Sequence, residues 1–294
     1  MASKGVALDG CSNRRAYGMQ PKDERPSTPA APRRRRRRAI ALGIAFGSAA
    51  LILPAGATAS PTVTAVGRAV PIPGFPHTGN FFGAGAAVQA EVRISGTEYG
   101  GFPPPLIGIT VFLPAGVKLH PQGFATCPPK TVIEEKNPED CPKASAAGPP
   151  GKVYGVVSLG NTRVPETVEL RSYFAPGGGF EFFADGHTPV SIEVAAAAAL
   201  LQPNGGGGFG PEFTGKVPLV ETVPGAPDAS VEAIDVTIGS AYRKHGKPVY
   251  YGTVPKACPR GGFRVKSEFT FAENGNVLTP VTVIVPFRAV CPTR

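Results

Sequence analysis

Apolar and polar residues alternate with a period of two along much of this chain. The clearest case is residues 258–291, CPRGGFRVKSEFTFAENGNVLTPVTVIVPFRAVC. Phe263, Val265, Phe269 and Phe271 fall on one phase, and Arg264, Lys266, Glu268 and Thr270 on the other. Successive side chains of a strand point to opposite faces, so this is the pattern of a half-buried strand. Asn274-Gly275 follows. An Asn-Gly pair accepts the positive φ that a type I′ hairpin turn needs at both central residues. With those two residues as the loop, Glu273 faces Asn276, Phe263 faces Pro286, and Cys258 faces Cys291. Pro280 and Pro286 disturb a simple ladder, because proline has no N–H to give. A four-residue loop over 273–276 keeps the same facing pairs, and a bulge near Gly261-Gly262 reconciles the prolines with the cysteine pair.

The same period recurs upstream. Val88, Ala90, Val92 and Ile94 oppose Gln89, Glu91 and Arg93. Further strands are expected over 106–113, 152–159, 166–175, 180–184, 190–201, 212–220, 230–240 and 249–254, separated by Gly- and Pro-rich turns. Residues 190–201 are ambiguous. The alanines from 195 to 199 favour helix on propensity, whereas the Ser-Ile-Glu-Val alternation favours a strand with a flat, closely packed surface. Residues 131–136 are the one good helical candidate, a turn or two ending before Asn137-Pro138. No expected helix is long enough to cross over between parallel strands. About ten short strands then indicate an all-β, antiparallel β-sandwich over residues 87–294. Residues 60–86, rich in Pro, Gly and small side chains, read as an extended linker or a loose edge segment.

Charge changes this picture at the N-terminus. Arg33 to Arg38 is an unbroken arginine run, followed by an apolar run over 39–53 and by Pro54. Ala57-Thr58-Ala59 supplies the small residues of a signal-peptide cleavage site. Residues 1–59 therefore read as a disordered signal segment with a long basic region, cleaved after Ala59, and the protein as secreted or cell-surface. The rival reading keeps this segment as an uncleaved membrane anchor. Residues 1–59 hold 11 Lys and Arg against 3 Asp and Glu, and the remainder 19 against 18. The exported part is nearly neutral, which removes the charge argument for nucleic acid or anionic lipid as partners. Its four cysteines, Cys127, Cys141, Cys258 and Cys291, are an even number in an exported chain and imply two disulfides. Proximity and the hairpin favour Cys127–Cys141 and Cys258–Cys291. Zinc would want a Cys-x₂-Cys spacing, which is absent, so no metal is expected. The second bond closes the longer loop and is expected to stabilise more.

Candidate chemistry is sparse. Residues 210–216, GPEFTGK, nearly match a phosphate-binding loop. Val217 stands where a hydroxyl is needed, and Pro218 stops the helix that should follow. Gly205, Gly207 and Gly210 match a dinucleotide fingerprint only within a glycine run. No serine lies in a Gly-x-Ser-x-Gly elbow. Asp185-Gly186-His187 puts a carboxylate near an imidazole, but Asp and Gly are also turn residues. The acids Glu134-Glu135 and Glu139-Asp140 read as a solvated surface before acid–base chemistry. There is no tryptophan, so Tyr250 and Tyr251 are the candidate ligand surface. No cofactor is expected.

Two stretches, LPAGVKLHPQGFATCPP…EDCPKASAAGPPGKV and CPRGGFRVKSEFTF, resemble a group of exported Cys-Pro proteins of soil actinobacteria. The resemblance covers roughly residues 105–160 and 255–292. It implies export and a β-rich domain, and no particular activity. The expectation is a non-enzymatic structural or binding module of the cell surface. The alternative is a secreted hydrolase whose residues converge only in three dimensions.

Overall fold

The computed structural model describes residues 60–75, 82–160, 162–201 and 208–291. The expected signal segment, with its arginine run and apolar stretch, lies outside them. Among the described residues no helix is long and apolar enough to cross a membrane.

The fold is antiparallel β. Its strands are β1 (Thr62–Val70), β2 (Ala87–Ser95), β3 (Leu106–Pro114), β4 (Lys118–Leu119), β5 (Gly151–Leu159), β6 (Thr162–Phe174), β7 (Phe180–Gly186) and β8 (Ile192–Leu201). They continue with β9 (Phe209–Lys216), β10 (Ser230–Ile238), β11 (Ala241–Lys244), β12 (Lys247–Tyr250), β13 (Gly252–Thr253), β14 (Phe263–Ala272) and β15 (Pro280–Ala289). Eleven of them form one sheet, in the order β1-β2-β10-β5-β6-β7-β8-β9-β3-β14-β15. With eleven strands and antiparallel pairing throughout, the first and last strands must run the same way. They do: β1 runs beside β15 and meets the residue just after it through a parallel bridge, Arg68 to Val290, and the sheet is nearly closed on itself.

The segment expected to be a linker thus carries β1, paired with β2 from Thr62↔Ser95 to Val70↔Ala87. Its inward phase, Val63, Ala65, Gly67 and Ala69, has little apolar bulk, and so its alternation is faint in the sequence. Residues 192–201 are a strand despite their alanines, because β7 and β9 supply ladders on both sides and tertiary pairing overrides weak helix propensity.

Both expected disulfides are present, with Cα–Cα distances of 5.1 Å for Cys127–Cys141 and 6.1 Å for Cys258–Cys291. The terminal hairpin differs in register. Phe263 pairs with Ala289, three residues from the expected Pro286. Asn274 (φ 50°) and Gly275 (φ 76°) do adopt the positive φ of the tight turn, and Asn276 N–H donates to Glu273 O. The chain then detours through residues 277–279, and Glu273 N–H donates to Thr279 O instead. The offset is undone at the other end by a turn over 259–262, where Gly261 and Gly262 have positive φ and Gly262 N–H donates to Pro259 O. That is the place where an irregularity was expected, and it lets the cysteines meet.

The first disulfide holds a small lobe. Lys130–Glu134 is one turn of π-type helix, with Glu135 N–H donating to Lys130 O at 2.9 Å. Short 3-10 turns follow at Pro138–Asp140 and Lys143–Ser145. Cys127, Cys141 and Val132 pack with Tyr173 and Phe183 on the outward phase of β6 and β7.

Candidate functional site

The ladder registers assign every strand an inward phase. Gly67 faces Ala90, Ala90 faces Val236, Val153 faces Val168, Phe182 faces Ala196, and Gly215 faces both Ala198 and Ile109. Large residues on this phase gather toward the strand ends. At one end Val63, Ile94, Leu106, Phe269 and Phe271 form a cluster. At the other, Phe174, Phe180 and Tyr251 pack with Ala147, and Phe263 packs with Ala86 and Val254. Between the ends small inward residues, Ala65, Gly67, Ala90, Gly155, Ala184, Ala196 and Gly215, are interspersed among larger ones.

The consequence is a cavity of about 450 Å³ inside the curved sheet, lined from all eleven strands. Its walls are almost wholly aliphatic and aromatic. Val92, Ile109, Val111, Val153, Phe182 and Val194 point inward and yet are only half-buried. Protein interiors are normally packed as densely as organic crystals, with few voids larger than a water. The volume lies in the roughly 300–1,000 Å³ range of small-molecule sites, which are concave and mostly apolar with a few placed polar groups.

One charged side chain stands on the inward phase of this wall. Glu166 of β6 lies opposite Gly155 of β5 and is 5% exposed. Its Oε2 accepts a hydrogen bond from Val190 N–H at 3.4 Å. Its Oε1 has no hydrogen-bond partner among the described residues. A methyl group at Gly186 would come within 3.2 Å of that oxygen, so the glycine at this position leaves the oxygen unobstructed. The other charged lining residues, Arg68 and Lys216, occupy outward register positions, and Arg68 Nε donates to Gln89 Oε1 at 2.9 Å.

Of the residues singled out by the sequence, Tyr251 lines the cavity and the others fall elsewhere. Tyr251 is 3% exposed and stacked on Phe174 with ring centroids 4.5 Å apart. Its hydroxyl donates to Gly178 O, and burial pushes it well above the ordinary phenol range. It is buried because the ring closes one end of the cavity. Tyr250 makes an edge contact with Phe75 at 6.1 Å. His187 Nε2 does lie 3.4 Å from Asp185 Oδ1, with the imidazole 73% exposed. Among the described residues no hydrogen bond brings a hydroxyl or thiol to it.

Asp185 belongs to an ion network. Arg171 reaches Glu139 at 2.6 Å, Glu169 at 3.5 Å and Asp185 at 3.5 Å. Burial works against the Arg171 charge, but the Glu139 hydrogen bond and the surrounding charges outweigh it and raise the guanidinium above its usual range. The acidic loop is thereby tied to the outer face of β6 and β7. Glu135 pairs with Lys130 at 3.2 Å. The described residues contain no group of three or more His, Cys, Asp or Glu that could hold a metal.

Two acids escaped the sequence reading. Glu166 sits on the apolar phase of Val164-Glu166-Val168-Leu170, which is the signal that marks it. Glu181 lies on the outward phase of β7, opposite Tyr173 and Ala197. It is 2% exposed, its Oε2 is unpartnered among the described residues, and burial pushes its carboxyl up to about 7.

No family model matches this chain, and no curated protein or solved structure matches it either.

Proposed function

We propose that this is a non-enzymatic exported protein, secreted or at the cell surface, that binds an apolar small molecule between the two halves of its sheet. In this reading the halves face one another as the layers of a sandwich. The observation that carries it is the 450 Å³ apolar cavity, walled by side chains that point inward without filling the middle. Lining atoms on opposite sides of such a cavity are too far apart to touch one another, and an apolar ligand supplies dispersion contacts to both. Two disulfides and a near-neutral exported part suit a small carrier or sensor outside the cell.

The contact between His187 and Asp185 favours a second reading, a secreted hydrolase. Acyl transfer by such a pair needs a nucleophile in hydrogen-bond reach of the imidazole. His187→Ala separates the two readings, because it removes any such hydrolysis and leaves ligand binding unchanged.

The test of the binding reading is a fluorescence titration with N-phenyl-1-naphthylamine, an apolar dye that brightens on leaving water. The chain has no tryptophan to interfere. Saturable binding of one dye per chain is expected. Ala196 faces Phe182 on the inward phase, so Ala196→Phe fills the cavity and removes binding while the melting temperature is held or raised. No saturable binding, or binding untouched by Ala196→Phe, overturns the reading.

A further inference from the structure

We infer that Glu166 receives the hydrogen-bond-donating head of a single-chain amphiphile whose apolar tail occupies the rest of the cavity. This rests on the binding reading above and names the ligand class.

Three observations combine. Glu166 is the charged residue on the inward phase of a wall that is mostly aliphatic and aromatic, with hydroxyls at Ser230, Tyr251, Thr253 and Ser267. It is 5% exposed, and one carboxyl oxygen is satisfied by Val190 N–H while the other has no partner among the described residues. Two neighbours lack side chains: Gly155 is its ladder partner, and a methyl group at Gly186 would come within 3.2 Å of the free oxygen. A buried carboxyl with an unmade hydrogen bond is unfavourable, and the deficit is removed by any donor that arrives with the ligand. Buried unpartnered side-chain atoms also occur on Arg163 and Glu181. Arg163 is otherwise held by Ser230 Oγ at 2.8 Å and by the rings of Tyr99 and Phe102, and Glu181 lies on the outward phase of β7. Among the described residues with such an atom, Glu166 is the one that lines the cavity.

The tail follows from the rest of the wall. The cavity has room for roughly fifteen water-sized groups, taking about 30 Å³ for each, and offers them methyl, methylene and ring carbons. A ligand apolar along its whole length would leave Glu166 unsatisfied. A highly polar ligand would leave its own groups unsatisfied against valine and phenylalanine. A fatty carboxylate would set two carboxyls against each other. One donor head, a hydroxyl or an ammonium, on one apolar chain satisfies both parts of the wall.

Competition with the dye tests this, using dodecylamine, 1-dodecanol and dodecanoate as displacing probes on the purified protein. Dodecylamine and dodecanol should displace the dye at concentrations about tenfold or more below dodecanoate, the discrimination expected from one hydrogen bond to a charged group. Glu166→Gln keeps an acceptor for Val190 N–H. It should abolish the preference for dodecylamine over dodecanoate and leave dodecanol within a few-fold of its original affinity. If the three probes compete equally, or the amine keeps its advantage in Glu166→Gln, the inference fails and the cavity reading stands. If the dye binds but none of the three probes displaces it, the inference fails in the same way. If neither dye nor probe binds, both are overturned.

Discussion

Single residues decide where this protein departs from an ordinary β core, and Glu181 is the plainest case. The side chain is on the outer phase of β7, beside Tyr173, whose other neighbours are the Cys127–Cys141 disulfide and Val132. Its carboxyl is raised from 4.5 to about 7 by burial. The folded chain therefore holds a proton that the unfolded chain has already released over that interval. The unfolding free energy contributed by this group falls as pH rises from about 4.5 to about 7, and is fully lost above that window. Glu181→Gln should consequently be more stable than the parent at pH 8, by about 2–3 kcal/mol relative to the same comparison at pH 4. Urea unfolding of both proteins at the two pH values measures it, and the amide's own burial cost cancels in the difference. An equal gap at both pH values would mean that Glu181 titrates normally. Glu166 shows what could be read earlier. A lone acid on the apolar phase of Val164-Glu166-Val168-Leu170 is visible in one dimension. That its phase points into a hollow is not, because the hollow is made by glycines and alanines on other strands.

At the scale of elements, the two disulfides invite a comparison in which loop length and burial oppose each other. Cys258–Cys291 closes a loop of 33 residues and Cys127–Cys141 one of 14. On the chain-entropy model this favours the terminal bond by about 0.7 kcal/mol. Burial acts in the opposite sense. Cys127 and Cys141 are 0% and 7% exposed within an apolar cluster, whereas Cys258 is exposed. Placing two serine hydroxyls in that cluster costs on the order of 1–3 kcal/mol each. Replacing Cys127 and Cys141 by Ser should therefore lower the melting temperature more than replacing Cys258 and Cys291. With alanine in place of serine the hydroxyl cost vanishes, and the order should return to that of loop length. Thermal melts of the four double variants check both statements. Element by element, legibility followed side-chain bulk. The sequence FRVKSEFTF announces β14 because phenylalanine and valine mark one phase, and all four large apolar residues of that phase are buried. TVTAVGRAV conceals β1 because alanine and glycine mark it. The hairpin register was displaced by an excursion through Val277 and Leu278, residues 50% and 85% exposed, whose apolar character argued for a strand.

For the whole molecule the decisive element is β1, since the near-closure of the sheet depends on it. β1 is laddered to β2 along its full length. On its other side it meets the residue just after β15 through one bridge, at Arg68, and β15 itself through the Phe287 ring, which lies where a methyl group at Gly67 would come within 3.1 Å. The expected cleavage after Ala59 falls just ahead of Thr62, where β1 begins, so processing at that point would leave the sheet intact. A chain beginning at Ser60 should bind N-phenyl-1-naphthylamine as the longer protein does. A chain beginning at Gly85 lacks β1. It exposes the free edge of β2 and opens the cavity along one side, through the gap that Ala65, Gly67 and Ala69 had lined. An unpaired strand edge is a template for association with another chain. The shortened protein should therefore lose saturable dye binding and elute as larger species in size-exclusion chromatography, while retaining both disulfides. If it stays monomeric and binds the dye with unchanged affinity, β1 is an accessory strand and the cavity is walled by the other ten.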